Sequence, residues 1–275
     1  MIQDINPHHF ENKYLSNPKI TPEDYIFHFK ENSLLLRQTG ETLEIPRRKD
    51  LNTDNENAVF LFTLNQTNCF LVWNCAMPDD QSFSFQEINF FRNIPQQEIA
   101  WTSIVAFHLM TWYLQNKFCG KCGSATTFNT DERAISCPSC KHTVYPKISP
   151  AIIVGIICGD KILLARGVNY RSPFYSLIAG YADIGESLED AVRREIKEEV
   201  GLDVWNIRYY KSQPWPYSGS MMIGYIAEAD DQQPIQLEQK ELIDALWFSR
   251  DQLPNHPSNI SISGEIIEKF KNREL

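Results

Sequence analysis

The chain of 275 residues has no long hydrophobic run. Its longest, Ala151 to Cys158, is eight residues with Gly155 among them, far short of the ~20 an apolar helix needs to cross a bilayer. No internal repeat or low-complexity tract is visible. The opening residues, MIQDINPHHF, lack a basic start followed by an apolar stretch, so no secretory signal is expected. Basic residues are in deficit: 26 Lys and Arg stand against 35 Asp and Glu, a formal net charge of −9. That balance excludes a protein whose whole surface grips nucleic acid or anionic membrane, but leaves room for a local basic pocket or a bound cation. Seven cysteines are an odd number, so no disulfide framework can use them all. What the chain does have is apolar content, 43 %, enough for buried cores and too much for disorder. At roughly 150 residues per domain, the length suggests about two domains. A soluble, cytoplasmic protein with no membrane contact is the expectation.

Three zones divide the chain, at 1–116, 117–147 and 148–275. The first is β-rich and closes with a helix. Ala58–Leu64 and Cys69–Trp73 are apolar runs separated by a polar turn composition, which predicts a hairpin. His8 and His9 are adjacent but have no Cys or carboxylate partner in sequence, so a flexible terminus is expected there. Between Gln96 and Asn116, Ala100, Ile104, Val105, His108, Leu109 and Trp112 recur at three- and four-residue steps. This predicts an amphipathic helix, with His108 a satisfied core histidine. The middle zone has four cysteines and no long apolar run. In the last zone strands at Ala151–Cys158 and Lys161–Ala165 flank a Gly-Asp turn, one clear helix follows, and a final helix is expected over roughly 261–272.

Cys119-Gly-Lys-Cys122 and Cys137-Pro-Ser-Cys140 are two C-x-x-C pairs with fourteen residues between them. Zn²⁺ takes four thiolates in a tetrahedron, and two such turns can aim all four at one ion. This predicts a zinc ribbon whose ion is structural, since no coordination position stays open. Two disulfides or a redox pair are the alternatives; the first needs an oxidising compartment, and the second needs no second copy. Cys69, Cys75 and Cys158 lie in apolar surroundings and are expected to be inert core thiols.

The segment from Gly180 to Leu202 is the most informative. Ser187 is a good N-cap with Asp190 three residues on, and Gly201 is a natural helix end. A helix is therefore predicted over 188–200, with Leu188, Val192, Ile196 and Val200 as its buried stripe. Glu195, Glu198 and Glu199 stand at i, i+3 and i+4 and so share one face. Carboxylates so close repel, which a hard divalent cation would relieve. Arg194 can pair with Glu198 or with Glu186. A solvated acidic face is the plainer alternative.

This segment resembles a Nudix box, G-x5-E-x7-R-E-U-x-E-E-x-G-U with U apolar. Gly180, Glu186, Arg194, Glu195, Ile196, Glu198, Glu199, Gly201 and Leu202 match every fixed position. Downstream, Ser212-Gln-Pro-Trp-Pro-Tyr-Ser-Gly-Ser220 is similar to the S-Q-P-W-P-F-P-x-S signature of the NADH pyrophosphatase (NudC-like) subfamily, with Tyr217 in place of Phe and Ser218 in place of Pro. The resemblance implies an α+β protein: a β-rich N-terminal domain, a zinc ribbon and a C-terminal Nudix α/β/α sandwich. It implies Mg²⁺ or Mn²⁺ held by Glu195, Glu198, Glu199 and the Ala179 carbonyl. Lys240-Glu241-Leu resembles the family's K-E-L segment, which adds Glu241 as a ligand or base. Catalytic roles are implied for Glu198, Glu199 and Glu241. Substrate contacts are implied at Gln213, Pro214, Trp215, Pro216, Tyr217, Ser218, Gly219 and Ser220, at Tyr145 and Glu132, and more weakly at Arg92 and Ser263. For Trp215, read as a loop residue between two prolines, ordinary core packing is the alternative.

The activity implied is hydrolysis of NADH or NAD⁺ to NMN(H) and AMP by a homodimer. Removal of the NAD cap from RNA 5′ ends is a rival using the same bond. A non-catalytic nucleotide-binding scaffold is a second rival, disfavoured by the complete glutamate set.

Overall fold

The computed structural model describes residues 1–53, 58–168 and 174–275. They fall into two units. One holds Gln3–Lys147 together with Pro216–Ser218; the other holds Met1–Ile2, Ile148–Trp215 and Gly219–Leu275.

The first unit is built on a seven-stranded sheet. Its strands are β1 (Phe10–Glu11), β2 (Tyr25–Lys30), β3 (Ser33–Thr39) and β4 (Thr42–Glu44), with a two-residue strand β5 (Asn52–Thr53) set apart. β6 (Val59–Leu64), β7 (Thr67–Val72), a short β8 (Cys75–Ala76) paired to β5, and β9 (Phe83–Glu87) follow. The order is β1-β6-β7-β2-β3-β4, with β9 on β3. The expected hairpin is β6/β7. Its turn residues Asn65 and Gln66 have φ of 50° and 66°, the left-handed pair that a tight two-residue hairpin turn requires.

The helix α1 (Gln97–Gln115) packs on β2 and β6. It is not amphipathic as its period suggests. Thr102, Ser103, Ala106, Met110 and Tyr113 are buried along with Ala100, Ile104, Leu109 and Trp112, so apolar or small residues cover almost every side. His108 is half-buried, with Nε2 at 3.0 Å from the Lys147 carbonyl, and burial lowers its pKa. The terminus at His8 and His9 is pinned, contrary to expectation. Asn65 N–H donates to the His9 carbonyl at 2.8 Å, and Asn65 Oδ1 accepts from His9 N–H at 2.9 Å. The hairpin turn supplies partners that are remote in sequence. The thiols also differ from expectation: Cys69 is fully buried, whereas Cys75 and Cys158 are half-buried. A small three-stranded sheet, β10 (Thr127–Phe128), β11 (Ile135–Ser136) and β12 (Thr143–Val144), completes this unit and carries the cysteine quartet.

The second unit is a sheet between two helices. Its strands are β13 (Ser149–Cys158), β14 (Lys161–Gly167), β15 (Ile178–Tyr181), β16 (Trp205–Trp215), β17 (Ser220–Glu228) and β18 (Leu242–Ser249). The order is β16-β17-β13-β14-β18, with β15 on β13 and a parallel β13/β17 pair at the centre. The helix α2 (Leu188–Val200) covers one face, burying Ala191, Val192, Ile196 and Val200 against Ile152, Val154 and Ala227. The helix α3 (Ile262–Lys271) covers the other through Ile262, Ile266, Ile267 and Phe270. Each fully buried large apolar side chain contributes about 1.5–3 kcal/mol, so α2 is fixed by its apolar stripe, not by its acidic face.

Candidate functional site

The helix α2 begins where the sequence places it. Ser187 Oγ accepts from Asp190 N–H at 3.2 Å, and Gly201 ends the helix at φ 75°. Gly180 on β15 sits directly behind the first glutamate: a Cβ there would lie 2.0 Å from Glu195 Cδ. Only a residue without a side chain lets that carboxylate lie against the strand.

Arg194 organises the acidic face. Its Nε donates to Glu186 Oε1 at 2.8 Å, Nη1 donates to Glu195 at 2.8 Å and to Glu198 at 3.2 Å, and Nη2 donates to the Tyr181 carbonyl at 2.9 Å. Sequence offers Glu186 and Glu198 as alternative partners; the guanidinium fork takes both. Three carboxylates raise its pKa further above the usual range.

Glu199 is different. It is only 7 % exposed, and its carboxylate has no hydrogen-bond or ion-pair partner among the described residues. Burial pushes its pKa up to about 8, helped by Glu195, Glu241 and Glu198. Burial likewise raises Glu195, against the opposing pull of Arg194. Glu199 lines a cavity of about 430 Å³ together with Gly167, Ser176, Ala179, Lys240 and Glu241. A buried bare carboxylate is costly unless a cation answers it. The donor set of carboxylates and one strand carbonyl is all oxygen, which suits a hard divalent ion. Among the described residues the glutamate oxygens are spread more widely than the cysteine sulfurs, the one set of three or more ligand groups gathered within 4.8 Å. A wider depression of about 580 Å³ lies in the first unit beside His28, Trp73 and Asn74, and among the described residues no acidic one lines it.

In the ribbon, Cys119 and Cys140 sulfurs lie 3.6 Å apart, Cys122 and Cys137 sulfurs 3.5 Å, and all four within 4.8 Å. Two matched turns make this possible. Gly123 N–H donates to the Cys119 carbonyl and Lys141 N–H to the Cys137 carbonyl, with φ of 75° and 61° one residue past each second cysteine. Hydrogen bonds from Ser124 bring the Cys122 thiol down to about 6. The quartet fits one tetrahedral Zn²⁺.

The remaining expected residues are distributed as follows. Tyr145 O–H donates to Glu132 Oε1 at 3.0 Å, which raises the tyrosine pKa. Arg92 stacks over the Tyr217 ring at 4.1 Å, and burial pushes Tyr217 up to about 12. Trp215 closes the strand β16 and is not in a loop; Pro216–Gly219 form the turn into β17. Gln213 is fully buried, its amide bridging the Ile260 carbonyl at 2.9 Å and Ile262 N–H at 2.7 Å. Its side chain thus braces the start of α3, and is not presented to a cleft. Ser263 is buried in the first turn of α3, outside the described cavity lining, and meets the cavity residue Ser176, Oγ to Oγ 3.0 Å. Sequence reasoning missed Ser176 and Tyr181. The Tyr181 ring is exposed and its hydroxyl lies 3.2 Å from Ser220 Oγ. It occupies a variable position of the box, and Ser176 belongs to no motif, so neither left a signal.

A capped helix of glutamates beside an acid-lined cavity, on a sheet covered on both faces, defines a Nudix domain. Known proteins agree. Residues 148–270 match the NUDIX domain, 23–112 the NADH pyrophosphatase-like rudimentary NUDIX domain, and 115–145 the NADH pyrophosphatase zinc ribbon domain. The NAD-capped RNA hydrolase NudC of Haemophilus influenzae (strain PittGG) is 35 % identical over 207 residues, 71 % of this chain and 75 % of that one. NudC of Stutzerimonas stutzeri (strain A1501), also called an NAD-capped RNA hydrolase, is 41 % identical over 170 residues, 62 % of this chain. The chain belongs to the NudC family of Nudix proteins with a zinc ribbon. It spans 61 % of the length of the Stutzerimonas relative and of the Pseudomonas putida (strain F1) one. A NUDIX hydrolase from Nitrosomonas europaea superposes with a TM-score of 0.50 over 57 % of this chain and 92 % of that one at 19 % identity, a likeness of fold.

Proposed function

We propose that this chain hydrolyses the pyrophosphate bridge of NADH or NAD⁺, releasing NMN(H) and AMP. The observation that carries the reading is Glu199: a buried, unpartnered carboxylate facing a cavity it shares with Glu241 and Ala179. Glu195, Glu198, Glu199, Glu241 and the Ala179 carbonyl are the groups that would hold Mg²⁺ or Mn²⁺. When bound, such an ion supplies positive charge against the diphosphate and lowers the pKa of water. This is how a chain of net charge −9 accepts a polyanion.

The protein's own groups do the rest. Arg194 holds Glu195 and Glu198 in place. One of the two exposed carboxylates, Glu198 or Glu241, takes the proton of the attacking water. Glu199 would give up its proton to a bound ion and lend it negative charge in the low-dielectric interior of the site. Trp215, Tyr217, Tyr145 and Tyr181 offer flat faces to nicotinamide or adenine. Arg92, Glu132 and the residues Pro214–Ser220 form the rest of the dinucleotide contact set, and the zinc is structural. The working form is a cytoplasmic homodimer. No helix among the described residues is long and apolar enough to cross a membrane.

A second substrate is supported by the relatives, which are called NAD-capped RNA hydrolases. In a capped RNA the same pyrophosphate bond joins NMN to the first nucleotide, so one site serves both.

The test is a panel of NADH, NAD⁺ and NAD-capped RNA with Mg²⁺ or Mn²⁺, with products identified by mass. Two mononucleotides are expected from the free dinucleotides. Glu198→Gln should cost several orders of magnitude in kcat while the protein stays folded. Intact NADH after prolonged incubation with the folded, metal-supplied protein would refute the reading, and tight binding without cleavage would identify a nucleotide sensor.

A further inference from the structure

The sheet of the first unit has a gap that the proposed chemistry does not use. β1 stops at Glu11, opposite Thr63 of β6. β6 itself shifts register against β7 between Phe60 and Phe62. A bulge of this kind leaves its extra residue, here Leu61, out of the ladder and redirects its carbonyl. A side chain from the ribbon fills the place. Arg133 Nη2 donates to the Leu61 carbonyl and, at 3.4 Å, to the Asn12 carbonyl. Its Nη1 donates to Asn12 Oδ1 at 2.5 Å.

All three acceptors are neutral. Among the described residues no carboxylate pairs with Arg133, and its Nε is buried without a hydrogen bond. A cation withdrawn from water against neutral partners is an expensive arrangement, and charge-assisted bonds to freed carbonyls are what offset it. The contact does not stand alone. Tyr14 O–H donates to the Asn129 carbonyl at 3.1 Å and Ser16 O–H to the Thr130 carbonyl at 2.7 Å. Within the loop, Asn129 N–H donates to the Ala134 carbonyl at 2.9 Å, and Ala134 N–H to the Glu132 carbonyl at 2.8 Å, a tight turn centred on Arg133. The neighbouring side chain, Glu132, is exposed and accepts from Tyr145 O–H.

We infer that Arg133 is a positioning residue. By plugging the gap where β1 ends and β6 bulges, it fixes ribbon loop 129–134 so that Glu132 and Tyr145 are held as a pair for the dinucleotide. This rests on the proposed reading of Glu132 and Tyr145 as substrate contacts. It gives the N-terminal sheet a part in substrate recognition, although that sheet has no catalytic group.

The test uses the full-length, zinc-loaded chain. Arg133→Met keeps the length of the side chain and removes its donors; Arg133→Lys keeps the charge and loses the fork. Zinc content is measured first, and about one ion per chain should remain in both. Amide hydrogen exchange over residues 129–136 should then rise about tenfold in Arg133→Met, with Arg133→Lys between it and the parent. With NADH, KM should rise about tenfold and kcat change less than about twofold. Glu132→Ala should raise KM similarly, and the double variant no further, because the arginine acts through the glutamate. Unchanged loop exchange in Arg133→Met, an unchanged KM in Arg133→Met or in Glu132→Ala, or additive KM effects in their double variant would each overturn the inference. The exchange measurement needs no turnover. A parent chain that fails to cleave NADH therefore refutes the proposed activity separately, and an arginine-dependent loop is still read by exchange.

Discussion

Gly180 and Glu195 are in close contact: the glycine's missing Cβ is the space the carboxylate fills, 2.0 Å from Cδ. The contact is set by close approach, since Gly180 has no left-handed backbone angle. Gly180→Ala is therefore tolerated by the strand and not by the glutamate. Glu195 must swing away, loosening its bond to Arg194. Displacing a group that orients or forms a ligand set costs on the order of 10- to 100-fold in metal affinity or activity. The variant should show that loss in a Mn²⁺ titration of NADH hydrolysis while its Tm stays within a few degrees of the parent. Full activity at the parent's metal concentration would show that Glu195 has room to spare.

Glu199 sets a pH dependence that runs opposite to the usual carboxylate. In the metal-free fold its pKa is pushed from 4.5 up to about 8, by burial first and then by Glu195, Glu241 and Glu198. Between those values the folded chain keeps a proton that the unfolded chain has released. Stability of the metal-free protein should thus fall as pH rises through the window. Glu199→Gln mimics the protonated side chain. In chelator it should melt with the parent near pH 4 and above it at pH 8. Adding Mg²⁺ at pH 8 should raise the parent's Tm and leave the variant's nearly unmoved. Parallel melting curves from pH 4 to 9 would show that Glu199 titrates normally.

Arg194 joins Glu186, Glu195, Glu198 and the Tyr181 carbonyl through one planar group. A lysine in its place has one point of charge and cannot span four acceptors. Arg194→Lys should lower kcat about 10- to 100-fold with a smaller change in KM. The stability change should be slight, because the guanidinium is a third exposed and screened by water. Steady-state kinetics beside a thermal melt checks both halves. A kcat equal to the parent's would mean that the glutamates hold their own positions.

What the sequence made legible followed from local chemistry. The cap at Ser187, the stop at Gly201 and the stripe of Val192, Ile196 and Val200 are nearest-neighbour facts, and α2 spans Leu188–Val200 as they require. The C-x-x-C pairs are equally local. What stayed hidden depends on chain segments meeting at a distance. The period of α1 suggested one wet side, but the helix is enclosed by its unit. The His8–His9 terminus reads as loose in sequence because Asn65, which holds the His9 backbone, is more than fifty positions away. Gln213 belongs to a motif, and its amide nonetheless serves α3. Within the site, the box marks which glutamates are present but not that Glu199 is sealed while Glu198 is exposed. That division comes from where α2 meets the sheet.

The ribbon offers the last prediction. Four sulfurs within 4.8 Å are stable only if protons or a cation keep their charges apart. Its sheet is three strands of two residues each, too small for a core of its own. A bound metal is therefore expected to supply most of the local folding energy, beside the Tyr113–Phe128 contact at 5.2 Å and the hydrogen bonds of Arg133, Tyr14 and Ser16 that tie loop 129–134 to the rest of the unit. Titrating the thiols with a mercurial should release about one Zn²⁺ per chain. The zinc-free protein should lose amide protection across residues 117–147 while α2 and the sheet of the second unit keep theirs. Cys137→Ser should behave as the zinc-free protein does, since it removes a buried ligand. Protection that survives complete zinc removal would mean that the cysteines are held by the fold and not the fold by the metal.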